Sequence, residues 1–282
     1  MSDQLRNAVQ AIRGIKIPEL SEEIIMLEKE IKSRFANAAR ITEIISMNTT
    51  LSGEVMRIVN SPVMKLKEPV NSIRDAVAVM GFDNIYNLVI AAALKNVFGS
   101  KGLHKDIMEH SVDVAFCMAD LADCVDDISR DEAYMLGLFH NVGALMLATK
   151  DDEGYDALFR NSLSRPTSVI KKEQEAYHSD HAVIGVIVGK KWRLPVDMLT
   201  AIMFHHDVKC EEIKSDRVRA MVAMIKVASG IVSEISLGAY RGGEMTEYEN
   251  DGFEDLMLPE GMMTEIRRAL MSYSFKESAV SA

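Results

Sequence analysis

Residues Ser129–Lys150, SRDEAYMLGLFHNVGALMLATK, carry the pattern that decides the fold. Ser129 followed three residues later by Glu132 is a capping-box pattern, in which each side chain satisfies a backbone N–H group at a helix start. Apolar and small residues recur downstream at helical spacing, and His140 falls on the same stripe, with Asn141 at its edge. The pattern predicts one helix that turns His140 towards the interior. Because a buried polar group without a partner costs roughly 1–3 kcal/mol, both side chains need partners elsewhere in the chain.

The composition is that of an ordinary globular protein with an excess of acidic residues. Of 282 residues, 48% are hydrophobic and 26% are charged, and the formal net charge is −10. The length predicts two packed subdomains. The negative charge argues against nonspecific nucleic-acid binding, which depends on Lys and Arg neutralising phosphates. No apolar run is long enough to span a membrane or to form a signal-peptide core, so we expect a cytoplasmic protein that binds neither nucleic acid nor membrane.

Helix-start residues and helical periodicity recur along the whole chain, and no window shows the alternation typical of a strand. Asn37, Asn48 and Ser72 each precede an apolar periodic segment and are good N-caps. The sequence therefore predicts an all-α fold. We divide it into an N-terminal helical subdomain (1–100), a helical core (101–238) and a C-terminal loop and helix (239–282).

Two details of this division depend on composition. Residues 239–252 are rich in Gly and Glu and are interpreted as a surface loop. A last helix is predicted at about 262–273, before a polar tail.

Four further histidines lie on predicted helices, and one lysine lies among apolar residues. These residues and their predicted helices are His110 in Leu103–Val125, His181 in Ser168–Trp192, His205 and His206 at the end of Val196–Asp207, and Lys226 in Asp216–Gly238.

Several motifs stand in an order that resembles one bacterial signalling family. They are PELSEEI (18–24), IISMNTTLSGEVMRIVNSP (44–62), PVNSIRDAVAVMGFDNIYNLVIAAAL (69–94), EHS (109–111), LFHNVG (138–143), DHAVIG (180–185) and AIMFHHD (201–207). Over about residues 15–235 the chain resembles the HDOD family, a relative of the HD-type metal-dependent phosphohydrolases. The resemblance implies an N-terminal helical subdomain packed on an HD-like helical core. It also implies a noncatalytic signalling or protein-interaction module, whereas the parent HD enzymes bind metals and cleave phosphoesters.

The resemblance further implies an HD-type pocket in which both carboxylate positions of the enzymes are altered. The residues matched to this pocket are His110 (the first His), His140 (the His of the His-Asp pair), Asn141 (in place of its Asp), His181, His205 and His206 (the extra histidines of the two-metal branch) and Lys226 (in place of the later Asp).

The two altered positions argue against hydrolysis. A divalent ion in a hydrolase is charge-balanced by carboxylates, which also orient the attacking water. Asn141 offers only a neutral carbonyl, and a Lys226 ammonium in the pocket would repel a metal ion. We therefore expect no catalytic residue and no metal cofactor. If a divalent metal does bind, its ligands would be the five histidines of the pocket.

The expected function is a signal-transduction module that binds a partner protein through its N-terminal subdomain or the seam between subdomains. The alternative is a metal-dependent phosphohydrolase acting on a nucleotide or cyclic dinucleotide. That activity would need a carboxylate from elsewhere, and Asp113, Asp180 and Asp207 are the nearest in sequence. A third interpretation is a sensor that binds a small phosphorylated ligand at the pocket histidines and Lys226 without cleaving it. Neither the partner nor the oligomeric state follows from the sequence.

Overall fold

The computed structural model describes residues 3–98, 101–206, 208–237, 242–258 and 261–280, with side chains except at residues 236–237 and 273–280. Helices run through all of these segments and no strand occurs in them, so the predicted all-α fold is confirmed. Before residue 99 the helices are α1 (Asp3–Ala11), α2 (Glu22–Ile31), α3 (Ala38–Ser46), α4 (Thr49–Val59), α5 (Ile73–Met80) and α6 (Phe82–Val97). The next group is α7 (Gly102–Leu121), α8 (Arg130–Phe139), α9 (Val142–Lys150), α10 (Asp152–Ser162), α11 (Pro166–Tyr177), α12 (His181–Lys191), α13 (Val196–Phe204) and α14 (Asp216–Leu237). The last two are α15 (Gly243–Leu256) and α16 (Met262–Val280).

The predicted N-caps of the N-terminal helices are confirmed. The Asn37 side chain accepts a hydrogen bond from the Ala39 N–H at 2.8 Å, at the start of α3. The Asn48 side chain does the same for α4, and the Ser72 hydroxyl for α5. Each of these contacts satisfies a backbone donor that the helix itself leaves unpaired, which is why the sequence signal was local and readable.

The capping box predicted at Ser129 is absent, although α8 does begin directly after that residue. The Ser129 side chain makes no capping hydrogen bond. The Glu132 carboxylate instead forms an ion pair with Arg217 of α14. A contact between two distant helices has therefore replaced the local one.

The N-terminal helices pack directly on the later ones. Helix α6 lies against α8, and α1 lies against α12, so that buried apolar side chains form one continuous core from α1 to α16. Helix α14 lies at the centre of the later group, where it contacts α7, α13 and α15. The subdomain boundaries near residues 100 and 238 stay a prediction. None of the described helices is long and apolar enough to cross a membrane.

The prediction of a single helix over Ser129–Lys150 is wrong. His140 and Asn141 separate α8 from α9, and the Asn141 backbone (φ −102°, ψ 15°) lies outside helical values. The break lets α9 approach α12 closely at Gly143, where an added Cβ atom would lie 1.9 Å from the His181 carbonyl oxygen. The sequence periodicity is that of one helix, but tertiary packing divides the segment into two short helices.

The helix predicted over Ser168–Trp192 is also divided. His178 takes a left-handed backbone conformation (φ 60°) that ends α11. Asp180 then caps α12, because its side chain accepts the Val183 N–H at 2.9 Å. His181 is consequently the first residue of a helix instead of one in its middle.

The prediction of a surface loop at 239–252 is wrong for the part of it that the structure describes. This part begins at residue 242 and forms most of α15. Residues 238–241 lie outside the described residues. Met245, Tyr248, Glu249 and Gly252 are buried at helical spacing. Gly252 permits close contact with α14, since a Cβ atom there would lie 2.5 Å from the Ala223 carbonyl oxygen. Gly252, one of the glycines in the predicted loop, is thus required for the packing of α15 on α14.

Candidate functional site

Five histidines from different parts of the core meet in one cluster. His110 lies on α7, His140 follows α8, His181 begins α12, and His205 and His206 follow α13. The ring centroids of His110 and His140 are 6.0 Å apart, those of His140 and His205 are 5.6 Å apart, and those of His181 and His205 are 5.5 Å apart. The His205 and His206 rings are 3.9 Å apart. The histidines assigned to one pocket from the sequence are thus neighbours in the fold.

Three of these rings are held by their Nδ1 atoms. Nδ1 of His140 lies 2.5 Å from the Gly137 carbonyl oxygen, and Nδ1 of His205 lies 2.7 Å from that of Ile202. Because a carbonyl can only accept, we infer that Nδ1 carries the proton in both rings and that Nε2 carries a lone pair. Nδ1 of His181 lies 2.8 Å from the Glu173 carboxylate and donates to it in the same way.

The remaining ring nitrogens of His181, His205 and His206 lie close together. Nε2 of His206 is 2.8 Å from Nε2 of His181 and, given the tautomer of His181, donates to it. Nε2 of His205 and Nδ1 of His206 are buried and have no hydrogen-bond partner among the described residues. One nitrogen each from His181, His205 and His206 lies within 4.8 Å of the others. Buried imidazole lone pairs at this spacing are suitable ligands for Zn²⁺ and similar ions.

Four of the five histidines, His110, His140, His205 and His206, are uncharged near neutral pH. Burial lowers the pKa of His110 to about 4, and burial together with the neighbouring His110 lowers the pKa of His140 to about 3. Burial and the adjacent imidazoles also hold the pKa values of His205 and His206 well below the usual range. Neutral imidazole is the form that binds a metal, so the cluster needs no proton loss at these positions before binding.

Lys226 is buried, but its charge is neutralised by a residue that the sequence analysis missed. The Lys226 ammonium lies 2.6 Å from the Asp251 carboxylate and 2.8 Å from the Val208 carbonyl oxygen. Burial would raise the pKa of Asp251, but its hydrogen bond and charge interaction with Lys226 outweigh burial and lower it. Asp251 belongs to α15, which was predicted as a loop, and this is why it was not considered. The spacing of Met245 and Tyr248 was the available signal.

A small cavity adjoins the cluster. Its volume of about 20 Å³ leaves room for little more than one water molecule or one ion. Its lining includes His110, His140, Asn141, His205, His206, Met245 and Tyr248, so that α15 covers one side. Neither His181 nor Lys226 is part of the lining. The seven residues assigned to one pocket therefore divide into a group that lines the cavity and a group behind it.

Of the carboxylates named in the sequence analysis, Asp180 and Asp113 do not line this cavity. Asp180 is occupied as the cap of α12 and accepts a further hydrogen bond from Gln174 at 2.8 Å. Asp113 is on α7 and is not a lining residue. Asp207 lies outside the described residues. Glu173 is the carboxylate that does contact a cluster histidine, and the sequence analysis missed it. Its spacing with Val169, Ile170 and Tyr177, all buried on α11, could have indicated that it faces inward.

Comparisons with known proteins agree with this fold. A protein of Treponema pallidum (strain Nichols) is 24% identical over 198 residues, which is 68% of this chain, and the match covers 38% of that relative. An HDOD domain protein of unknown function from Geobacter sulfurreducens has a similar structure, with a TM-score of 0.68 at 20% identity, covering 95% of this chain and 97% of the other.

Two further solved structures share the fold. One, named as a candidate signal transduction protein, is from Marinobacter aquaeolei VT8 (TM-score 0.69, 20% identity, 99% of this chain and 64% of the other). The other, named as a candidate phosphohydrolase, is from Shewanella amazonensis SB2B (TM-score 0.68, 20% identity, 93% of each chain). At this identity the likeness concerns the fold alone. The HDOD domain model matches residues 17–208, more than half of the 282 residues. The chain therefore belongs to the HDOD family, whose domains are associated with signal transduction and related to the HD phosphohydrolases.

Proposed function

We propose that this protein is a noncatalytic signal-transduction module that acts by binding another protein, and that its histidine cluster keeps the framework of an HD-type site without its hydrolytic chemistry. The carrying observation is the state of the two positions that resemblance assigns to carboxylates. Asn141 lines the cavity with a neutral amide, and Lys226 is locked in an ion pair with Asp251.

The electrostatics of the cluster support this proposal. Hydrolysis of a phosphoester needs a base that activates water, or a metal-bound water whose charge is balanced by nearby carboxylates. The cluster histidines adjoin Glu173, which holds His181 from behind, and the described lining of the cavity contains no Asp or Glu. Strongly lowered pKa values also leave His140 and His205 as poor proton acceptors.

The size of the cavity is a second supporting point. Its volume of about 20 Å³ has no room for a nucleotide, and α15 covers it through Met245 and Tyr248. A phosphorylated small ligand in this cavity is disfavoured for the same reason. Binding of a protein partner at the N-terminal helices, or at the seam where they meet the core, requires no entry into the cavity.

A second candidate function is the holding of a transition-metal ion, and a specific observation favours it. His181, His205 and His206 present close nitrogens, and His205 Nε2 and His206 Nδ1 are buried without hydrogen-bond partners among the described residues. A buried lone pair without a partner is costly, and a metal ion would satisfy it. Bound there, such an ion would act as a Lewis acid or a structural cross-link. Metal binding would not by itself restore hydrolysis, since the carboxylates would still be absent.

The proposal is tested by returning the carboxylates. Wild type, Asn141→Asp/Lys226→Asp and His140→Ala are compared for phosphodiester hydrolysis, with Mn²⁺, Fe²⁺ or Zn²⁺ supplied. We expect wild type to be no faster than His140→Ala. Activity in wild type that is lost in His140→Ala would overturn the noncatalytic interpretation, whether or not the double variant exceeds it.

Partner binding is tested separately by cross-linking in cells that express the tagged chain. We expect a cross-linked protein that both wild type and His140→Ala retain, because the partner surface lies outside the cavity. Loss of the cross-link in His140→Ala, with the fold intact by circular dichroism, would place the partner site at the cluster instead.

A further inference from the structure

Glu173 is a fully buried carboxylate (0% exposed) that ties three helices together. It lies on α11 and accepts a hydrogen bond from the Tyr155 hydroxyl of α10 at 2.6 Å. It also accepts the backbone N–H of His181 at 2.9 Å and the Nδ1–H of the same residue at 2.8 Å. A carboxylate that holds both the backbone and the ring of one residue fixes the position and the rotation of that ring.

The anchor of His181 differs from the anchors of the other two oriented rings. His140 and His205 each donate Nδ1–H to a carbonyl three residues earlier, on the helix that each of them follows. Those anchors depend only on groups of the helix that the ring follows. The anchor of His181 is a side chain from another helix, so it is present only when α11 and α12 are correctly packed. A substitution can therefore remove it without breaking a helix.

The orientation of His181 passes to the next ring. With Nδ1–H donated to Glu173, Nε2 carries a lone pair and lies 2.8 Å from Nε2 of His206. If the proton moved to Nε2 of His181, this nitrogen could no longer serve as a ligand. Hydrogen bonds of this kind behind a ligating histidine set its tautomer and raise its basicity.

We propose that Glu173 is the positioning residue of the cluster, which keeps His181 in the tautomer whose Nε2 carries the lone pair that could bind a Zn²⁺-like ion together with His205 and His206. This inference rests on the metal-holding role proposed above. It assigns to Glu173 no contact with the ion itself.

The test uses Glu173→Gln in the full chain, with Asp180→Ala as a matched control. The Gln amide keeps the volume of the side chain but can turn its NH₂ group towards Nδ1, which favours the Nε2–H tautomer of His181. Asp180 caps the same helix, α12, and accepts a hydrogen bond from Gln174 of α11. Asp180→Ala removes these two contacts and leaves the contact between Glu173 and His181 in place. The tautomer is read in metal-free protein from long-range ¹H–¹⁵N correlations of labelled histidines, and Zn²⁺ affinity from chelator competition.

We expect Glu173→Gln to move His181 towards the Nε2–H tautomer and to weaken Zn²⁺ binding by about 10- to 100-fold. Asp180→Ala should keep the tautomer and bind Zn²⁺ within about threefold of wild type, the margin we set for no effect on this 10- to 100-fold scale. An unchanged tautomer in Glu173→Gln, or an equal loss of affinity in both variants, would overturn the proposal. If wild type binds no Zn²⁺, the tautomer alone decides: a shift supports the positioning role and removes the metal role, and no shift removes both.

A conservative variant keeps the test decisive if Glu173→Gln does not fold. Glu173→Asp retains the carboxylate but shortens its reach. It should keep the Nδ1–H tautomer and lose about tenfold in Zn²⁺ affinity, between wild type and the Gln variant. Binding within about threefold of wild type, well inside the range expected for a lost anchor, would contradict a positioning role.

Discussion

The histidine side and the carboxylate side of the candidate site differ in the groups that they offer to a metal ion. On the histidine side, His140, His181 and His205 are anchored through Nδ1 and direct Nε2 inward, the arrangement that a metal site requires. On the carboxylate side, the positions assigned by resemblance hold a neutral amide, Asn141, and a lysine that is paired internally. Ligand geometry and catalytic charge are thus separate properties of this fold, and one can persist where the other is lost.

A physical reason for this difference lies in charge. Neutral imidazoles can be buried at modest cost when each donates one hydrogen bond, as His140, His181 and His205 do, so these rings leave no buried charge for a metal ion to balance. Two buried carboxylates without a metal would repel each other and would be costly. Replacing them by an amide and by one half of an ion pair removes that requirement for a metal.

The largest effect is expected from breaking the ion pair on the carboxylate side. Asp251→Ala leaves the Lys226 ammonium buried, with its side chain 4% exposed and without its counter-charge. We expect unfolding to become easier by about 3 kcal/mol or more, measured by urea denaturation.

Two controls sharpen that result. Asp216→Ala breaks an exposed pair with Arg219 and should change the free energy of unfolding by less than about 1 kcal/mol. Lys226→Met/Asp251→Ala replaces the pair by apolar groups and should recover most of the loss. Equal losses in Asp251→Ala and Asp216→Ala would show that the buried pair has no special role.

The next effect concerns protonation of the histidine side. The pKa of His140 is about 3 in the folded protein against an ordinary value of 6.5, so the unfolded chain takes up a proton first as pH falls. Stability is therefore complete above about pH 6.5 and declines towards pH 3. His140 alone should account for about 3 kcal/mol of loss by pH 4.

This is measured as the free energy of unfolding between pH 7 and pH 4. His140→Gln should show a clearly shallower dependence on pH than wild type. Parallel curves for wild type and His140→Gln would mean that His140 is not held neutral by the fold.

A smaller effect is expected from separating α9 and α12. In Gly143→Ala the new Cβ atom would meet the His181 carbonyl oxygen at 1.9 Å, so the two backbones must move apart. We expect a loss of about 2 kcal/mol, together with weaker metal binding if the cluster holds an ion.

Gly53→Ala is the matched control, because nothing lies within 4 Å of the added atom on α4. It should be neutral or stabilise by up to about 1 kcal/mol, as alanine favours helices. Thermal unfolding of both variants gives the comparison, and a Gly143→Ala protein as stable as Gly53→Ala would contradict the close packing of α9 on α12.

What could be predicted from the sequence was local. Asn37, Asn48 and Ser72 act through backbone groups two or three residues away, so their capping was readable. The order of the histidine motifs indicated a family and predicted that the histidine rings lie close together. Neither inference needed knowledge of how the helices pack.

What could not be predicted depends on contacts between distant helices. The helix break at His140 and Asn141 contains no proline or glycine that would have indicated it from the sequence. Helix α15 was predicted as a loop because residues 239–252 are rich in Gly and Glu, whereas Gly252 packs against α14. Asp251 and Glu173 gain their roles from partners on other helices, Lys226 and His181.

The most direct test of the central claim is the turnover of phosphodiesters by the metal-supplied wild type, measured beside His140→Ala. Bis(p-nitrophenyl) phosphate and a cyclic dinucleotide serve as substrates, with Mn²⁺, Fe²⁺ and Zn²⁺ each present in excess. If the site is noncatalytic, wild type and His140→Ala give the same background rate with every metal. Turnover by wild type that is lost in His140→Ala, in a variant that still folds, would contradict it and make the site an active one.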